Sequence, residues 1–191
     1  MLTIDNIYES LIEINKSKFY SFAYPVGSEE DCKEILNEFR KKYRDATHVC
    51  FAYILTSPGL EKASDDGEPQ GTAGRPILEV LRKKKLVNIL VIVVRYFGGI
   101  KLGAGGLIRA YTDACNEVVS KCTVVDKKEK KKYRLTTTYD TYPRLINNLK
   151  SLGVSIVNNL FEDKVIVDIE SEEDICESIK ILGVEINVDN N

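Results

Sequence analysis

One histidine in 191 residues, and five cysteines with no pair at CxxC spacing, leave this chain without the parts of an ordinary zinc site. The cysteines stand at 32, 50, 115, 122 and 176. An odd number without clustering argues against a disulfide framework and for reduced, mostly buried thiols. No run of eighteen apolar residues occurs, so no membrane-spanning helix is expected. The opening stretch "MLTIDNIYESLIEINKSKF" lacks a basic start followed by a long apolar segment and does not read as a secretory signal. A cytoplasmic location is the expectation, with no membrane partner.

A broad excess of base is also missing. Net charge is −2, divided as zero over residues 1–126, +4 over "KKEKKK" at 127–132 and −6 over 133–191. A dedicated nucleic-acid domain usually carries a basic face, so any such binding must come from a local patch. What remains is ordinary for a globular chain: 43% hydrophobic and 29% charged residues, at a length that allows one medium domain or two small ones.

The lysine run is the best domain boundary, because like charges solvate well and do not pack. Before it, residues 12–24 alternate as a strand. "SEEDCKEILNEFRKKY" reads as a helix with Ser28 as N-cap and carboxylates at 29–31 in its first turn. "THVCFAYILT" reads as a strand, and "RPILEVLRKK" as a short helix with Pro76 near its first position. "NILVIVV" has the unbroken apolar, β-branched character of a central strand buried on both faces. Residues 107, 108, 111, 114, 115, 118 and 119 form one apolar helical stripe. Beyond the lysines the expected order is strand 132–139, helix 141–152, strands 153–160 and 163–170, helix 171–181 and strand 183–188. That βαββαβ order is the ferredoxin-like split βαβ unit.

Two stretches cannot build core and raise the question of function. In "RYFGGIKLGAGGLIRAY" five glycines surround Lys101 between the central strand and the next helix. Glycines let backbone N–H groups approach a ligand, and a helix start supplies free donors and the positive end of a dipole. With Lys101 and Arg109 nearby, this is a candidate anion site. The alternative is close packing, with small residues drawing the helix onto its neighbours. Neither standard nucleotide pattern fits. A Walker loop needs Gly-Lys-Ser/Thr where Gly103, Ala104 and Gly105 stand, and a dinucleotide fingerprint needs glycine where Ile108 stands.

The second stretch, "SDDGEPQGTAGRP", holds Asp65, Asp66 and Glu68. These could ligate Mg²⁺ through oxygen, but the spacing is not that of an EF-hand loop. Salt bridges and N-cap contacts with Arg75, Arg95 or Lys101 are the favoured reading. His48, the one histidine, reads as a hydrogen-bonded residue at a strand entrance rather than as a catalytic base.

The segments "SDDGEPQGTAGRPIL", "VVRYFGGIKLGAGGLIRAY" and "DATHVCFAY" closely resemble the motifs of the YigZ/IMPACT family, and "NKSKFYSFAYPV" resembles its N-terminal K-S-x-F segment. The resemblance covers nearly all of residues 12–120 and, more weakly, 133–188. It implies an α+β protein of two domains. Residues 1–126 would be similar to domain IV of elongation factor G, with a βαβ crossover that can be left-handed. Residues 127–132 would be a basic linker. Residues 133–191 would form a ferredoxin-like domain similar to domain V of that factor. Eukaryotic relatives regulate translation initiation by binding a translation-associated activator of a stress kinase. They do so through a further domain with no counterpart in these residues, so that partner is not carried over.

The motif positions define the expected site. Arg75, Arg95, Tyr96, Gly98, Gly99, Lys101, Gly103, Gly105, Gly106 and Arg109 would contact an anion or RNA. His48, Asp65, Asp66, Glu68, Gly71, Thr72 and Gly74 would support them. No catalytic residue, metal ligand or cofactor is assigned. The expected function is a non-enzymatic, translation-associated regulator that binds RNA or the ribosome through phosphate, with Tyr96 or Phe97 stacking on a base. The alternatives are a Mg-dependent enzyme acting on a phosphorylated small molecule, and a protein–protein module in translational control. The acidity of residues 133–191 points away from RNA contact by that half.

Overall fold

The computed structural model describes residues 1–127, 131–180 and 182–189. The chain is α+β and divides into two units, Met1–Lys127 and Lys128–Asn191. In chain order the first holds β1 (Leu2–Ile4), β2 (Tyr8–Ile14), β3 (Ser17–Pro25), α1 (Glu29–Lys42), β4 (His48–Leu55), β5 (Leu60–Ser64), α2 (Gly74–Lys83), β6 (Ile89–Tyr96), α3 (Gly103–Lys121) and β7 (Val124–Asp126). β1 pairs with β7, while the other five strands form one antiparallel sheet in the order β2-β3-β6-β4-β5.

The single strand expected over 12–24 is a hairpin. Asn15 and Lys16 take φ of +47° and +63°, the left-handed pair that a tight two-residue β-turn requires. No glycine marks the turn, and the alternation of small and apolar residues runs on past it. β5 is a further strand that sequence periodicity does not reveal. It is an edge strand, and its middle residues Glu61, Lys62 and Ala63 are exposed.

β6 explains most of the architecture. Its residues from Ile89 to Arg95 are all buried, because helices cover both faces of the sheet. Ile89, Val91 and Val93 pack with α2 and α3, while Leu90, Ile92 and Val94 pack with α1. Side chains alternate across a strand, so Arg95 faces the α3 side and Tyr96 the α1 side. β4 alternates in the same way, and its register sets His48 opposite Arg95. α1 begins as expected at Ser28. Its hydroxyl accepts from Asp31 N at 3.1 Å and the Asp31 carboxylate accepts from Ser28 N at 3.0 Å, a complete capping box.

The second unit holds β8 (Lys131–Thr137), α4 (Tyr142–Ser151), β9 (Ser155–Phe161), β10 (Val165–Ser171), α5 (Cys176–Lys180) and β11 (Glu185–Asp189). The sheet order β11-β8-β10-β9, with every neighbouring pair antiparallel, is the ferredoxin-like arrangement. Tyr133, Leu135, Val165, Val167 and Ile169 face Leu145, Leu149, Ile175 and Ile179 across its core. Of the expected basic linker, residues 128–130 lie outside the described residues, and Lys131 and Lys132 already belong to β8. The helix expected over 171–181 is shorter. Ser171 exchanges hydrogen bonds with Glu173, and Asp174 accepts from Cys176 N at 3.1 Å, so the chain turns before α5 begins. Residue 181 lies outside the described residues.

Candidate anion site

The first glycine-bearing stretch, residues 64–74, is folded around one carboxylate. Asp65 accepts from the backbone N–H of Gly71 at 2.8 Å, Ala73 at 3.0 Å and Gly74 at 2.8 Å. Ala73 is the N-cap of α2 and brings no side-chain cap of its own. Asp65 therefore caps α2 from across the loop and meets the positive end of its dipole. Burial disfavours the charged form, but the three N–H donors outweigh it and hold the Asp65 carboxyl below its ordinary range. Asp66, at φ +43°, takes Val49 N–H on its own carboxylate at 2.6 Å. The N-cap expectation thus holds for Asp65, while neither aspartate pairs with Arg75 or Lys101. Among the described residues no three His, Cys, Asp or Glu side chains converge as a metal site.

Beneath this loop lies a buried polar cluster. Glu68 Oε1 accepts from Arg95 Nη1 at 2.6 Å and from the Tyr111 hydroxyl at 2.8 Å. Burial, with Cys50 and Glu68 adding to it, pushes the Tyr111 hydroxyl far up, so it stays a donor. Cys50 lies 3.4 Å from that hydroxyl and 3.0 Å from the Asp65 carbonyl, and burial pushes its thiol up as well. Arg95 also reaches Ser17 Oγ at 3.4 Å. His48 Nδ1 lies 2.8 Å from the Asp66 carbonyl, and its Nε2 is 3.8 Å from Glu68 Oε2. In the neutral ring this puts the N–H on Nδ1 and the lone pair on Nε2.

Of two expected contact residues, Arg95 lines the cavity below while committed to Glu68, and Tyr96 lies on the other face. Arg95 is only 5% exposed and tied to Glu68, because strand alternation turns it into the sheet–α3 interface. Such a buried guanidinium must keep its partner, since an unpaired buried charge is strongly destabilising. Tyr96 points to the opposite face, where its hydroxyl bonds Asp45 at 3.0 Å and its ring meets Tyr20 edge-on. Phe97, already past the strand, is the aromatic on the α3 side.

The second glycine-bearing stretch is built differently. Gly98 donates to Ser17 Oγ at 3.2 Å, and a Cβ there would fall 2.0 Å from the Lys16 backbone. That glycine is architectural. Gly99 and Gly103 take φ of +87° and +68° with open space around them. α3 starts at Gly103 behind Leu102, which offers no side-chain cap. The N–H groups of its first turn therefore remain available. Lys101 is exposed and joins no ion pair among the described residues.

This uncapped helix start borders a cavity of about 300 Å³. Thr47, His48, Glu68 and Arg95 line its sheet side, and Phe97, Lys101 and the first turn of α3 line the other. Gly103 lies in the lining, with Gly105 in the same turn, and Gly106 packs against Leu102. Arg75 and Arg109 are exposed and lie outside the lining. Asp65, Asp66, Gly71, Thr72 and Gly74 shape the neighbouring loop without entering it. The expected site did not include Thr47, Pro69, Leu102, Ala104 and Leu107 in the lining, or Ser17 and Tyr111 behind it. Tyr111 was visible only as one member of the apolar stripe of α3.

A two-domain α+β chain with this cavity has clear relatives. Residues 15–119 match the Impact N-terminal domain. The chain is 40% identical over 149 residues to the IMPACT family member YvyE of Bacillus subtilis, spanning 78% of this chain and 69% of that one. It is 33% identical over 158 residues to the IMPACT family member YigZ of Escherichia coli, spanning 81% and 78%. A crystal structure described as a hypothetical protein superposes with a TM-score of 0.81 at 27% identity, covering 97% of this chain and 95% of that one. The chain belongs to the IMPACT family.

Proposed function

We propose that this protein is a non-enzymatic, translation-associated regulator whose N-terminal unit binds RNA through a backbone phosphate. The observation that carries the reading is the uncapped start of α3 beside Lys101, which joins no ion pair among the described residues, at the edge of a cavity that also holds Phe97. Free helix-start amides and an ammonium group suit a phosphate, and an exposed phenyl ring suits a base released from its stack. Phe97 is 46% exposed. The link to translation rests on the family resemblance, whose eukaryotic members regulate initiation. With one helix start and one lysine in the site, binding depends on few phosphates and its salt dependence is shallow.

The test is equilibrium binding of transfer RNA and of ribosomes. Lys101→Ala weakens binding by about tenfold, the size of one charge-assisted contact, and leaves the unfolding midpoint unchanged. Arg75→Ala and Arg109→Ala, outside the cavity, change binding less than about twofold on the same scale. Tight binding that survives Lys101→Ala in full removes the site from this account.

A further inference from the structure

The buried end of the cavity has a chemistry of its own. Glu68 Oε1 is saturated by Arg95 and Tyr111. Glu68 Oε2 receives no hydrogen bond among the described residues, and its recorded neighbour is His48 Nε2 at 3.8 Å. The Glu68 side chain is 3% exposed and lines the cavity. When the His48 ring carries its one N–H on Nδ1, toward the Asp66 carbonyl, its Nε2 is likewise an acceptor. Arg95 Nε, also buried, has no hydrogen-bond partner among the described residues. With His48 in that form, two acceptors and the Arg95 Nε–H stand at one end of the cavity, and the uncapped helix start with Lys101 stands at the other. A ligand that fits must bring an anion to one end and hydrogen-bond donors to the other. A volume of about 300 Å³ has room for one nucleotide and not for a duplex.

From this we infer that the cavity holds a single ribonucleotide of an RNA strand, with its ribose 2′-hydroxyl sharing its one proton between Glu68 Oε2 and His48 Nε2 in a three-centre hydrogen bond. The phosphate lies at Lys101 and the start of α3, and the base stacks on Phe97. A carboxylate that accepts a ribose hydroxyl is the device by which dinucleotide folds read the same group. The 2′-hydroxyl is also the feature that separates RNA from DNA at a given site. The inference rests on the phosphate reading and adds sugar discrimination to it.

The experiment compares three single-stranded oligonucleotides of one sequence, as RNA, DNA and 2′-O-methyl RNA, by fluorescence anisotropy against the whole chain. The 2′-O-methyl strand keeps the RNA sugar pucker and lacks the donor. The native protein binds RNA about tenfold more tightly than either of the others, the worth of one hydrogen bond to a charged group. His48→Ala shrinks that preference while leaving DNA affinity in place. The 2′-O-methyl arm needs no variant, so a folding defect in His48→Ala does not spoil the test. Equal affinity for RNA and DNA, each lost in Lys101→Ala, overturns the sugar reading and leaves the phosphate reading standing. RNA and 2′-O-methyl RNA binding alike also overturns the sugar reading. Binding of none of the three overturns both.

Discussion

The two glycine-bearing loops of the N-terminal unit have similar composition and opposite uses. In residues 64–74 the amides of Gly71, Ala73 and Gly74 turn inward onto Asp65. In residues 97–106 the amides at the start of α3 have no side-chain cap among the described residues, and Lys101 lines the same cavity. One loop brings its own anion. The other leaves its helix start uncapped. Glycine content alone does not reveal a binding site, because the carboxylate that satisfies the donors can lie many residues away, as Asp65 lies from Gly74.

The comparison breaks most sharply at individual glycines. Gly98→Ala sets a Cβ 2.0 Å from the Lys16 backbone, where neither side can yield cheaply. A loss on the order of 3 kcal/mol is expected, at the upper end for overpacking. Gly105→Ala meets open space in a helical turn. It leaves stability unchanged or raises it by up to about 1 kcal/mol through helix propensity. Chemical denaturation of both variants checks the pair, and similar losses would contradict the division drawn here.

Asp65→Ala comes next. It orphans three amides at once, and a cost of about 2–3 kcal/mol is expected from unsatisfied donors at a partly buried helix start. The same group gives an acid limb to stability. Its folded carboxyl titrates below its unfolded one, so its contribution is complete above the ordinary aspartate value of about 4 and fades as pH falls through the lower folded value. Thermal midpoints of the native protein and Asp65→Asn, measured from pH 6 downward, should converge toward the acid end. A gap that widens on acidification would reverse the assigned sign.

Much of this was legible in the sequence, for physical reasons. The unbroken apolar run of β6 reads as a strand covered on both faces, and the stripe from Leu107 to Val119 reads as α3. The alternation of "VIVDI" marks β10, and the βαββαβ order around it is that of the ferredoxin-like second unit. The facing of Arg95 and Tyr96 was not legible. A strand buried on both sides shows no amphipathic contrast, so nothing local says which parity faces α3. The role of Asp65 was half legible, because helix capping was expected of the acidic stretch but its partners depend on how the loop closes. The pairing of Glu68 with Arg95 spans 27 residues and rests on β5 and β6 lying on either side of β4. The cavity itself arises only when His48, Arg95 and the start of α3 meet at one end of the sheet.

The most direct test follows the backbone amides of both loops by two-dimensional NMR during titration with a short single-stranded RNA. The account predicts saturable shifts at Gly103, Ala104 and Gly105 while Gly71, Ala73 and Gly74 stay in place. Shifts at the Asp65-bound amides with none at the start of α3 would contradict it.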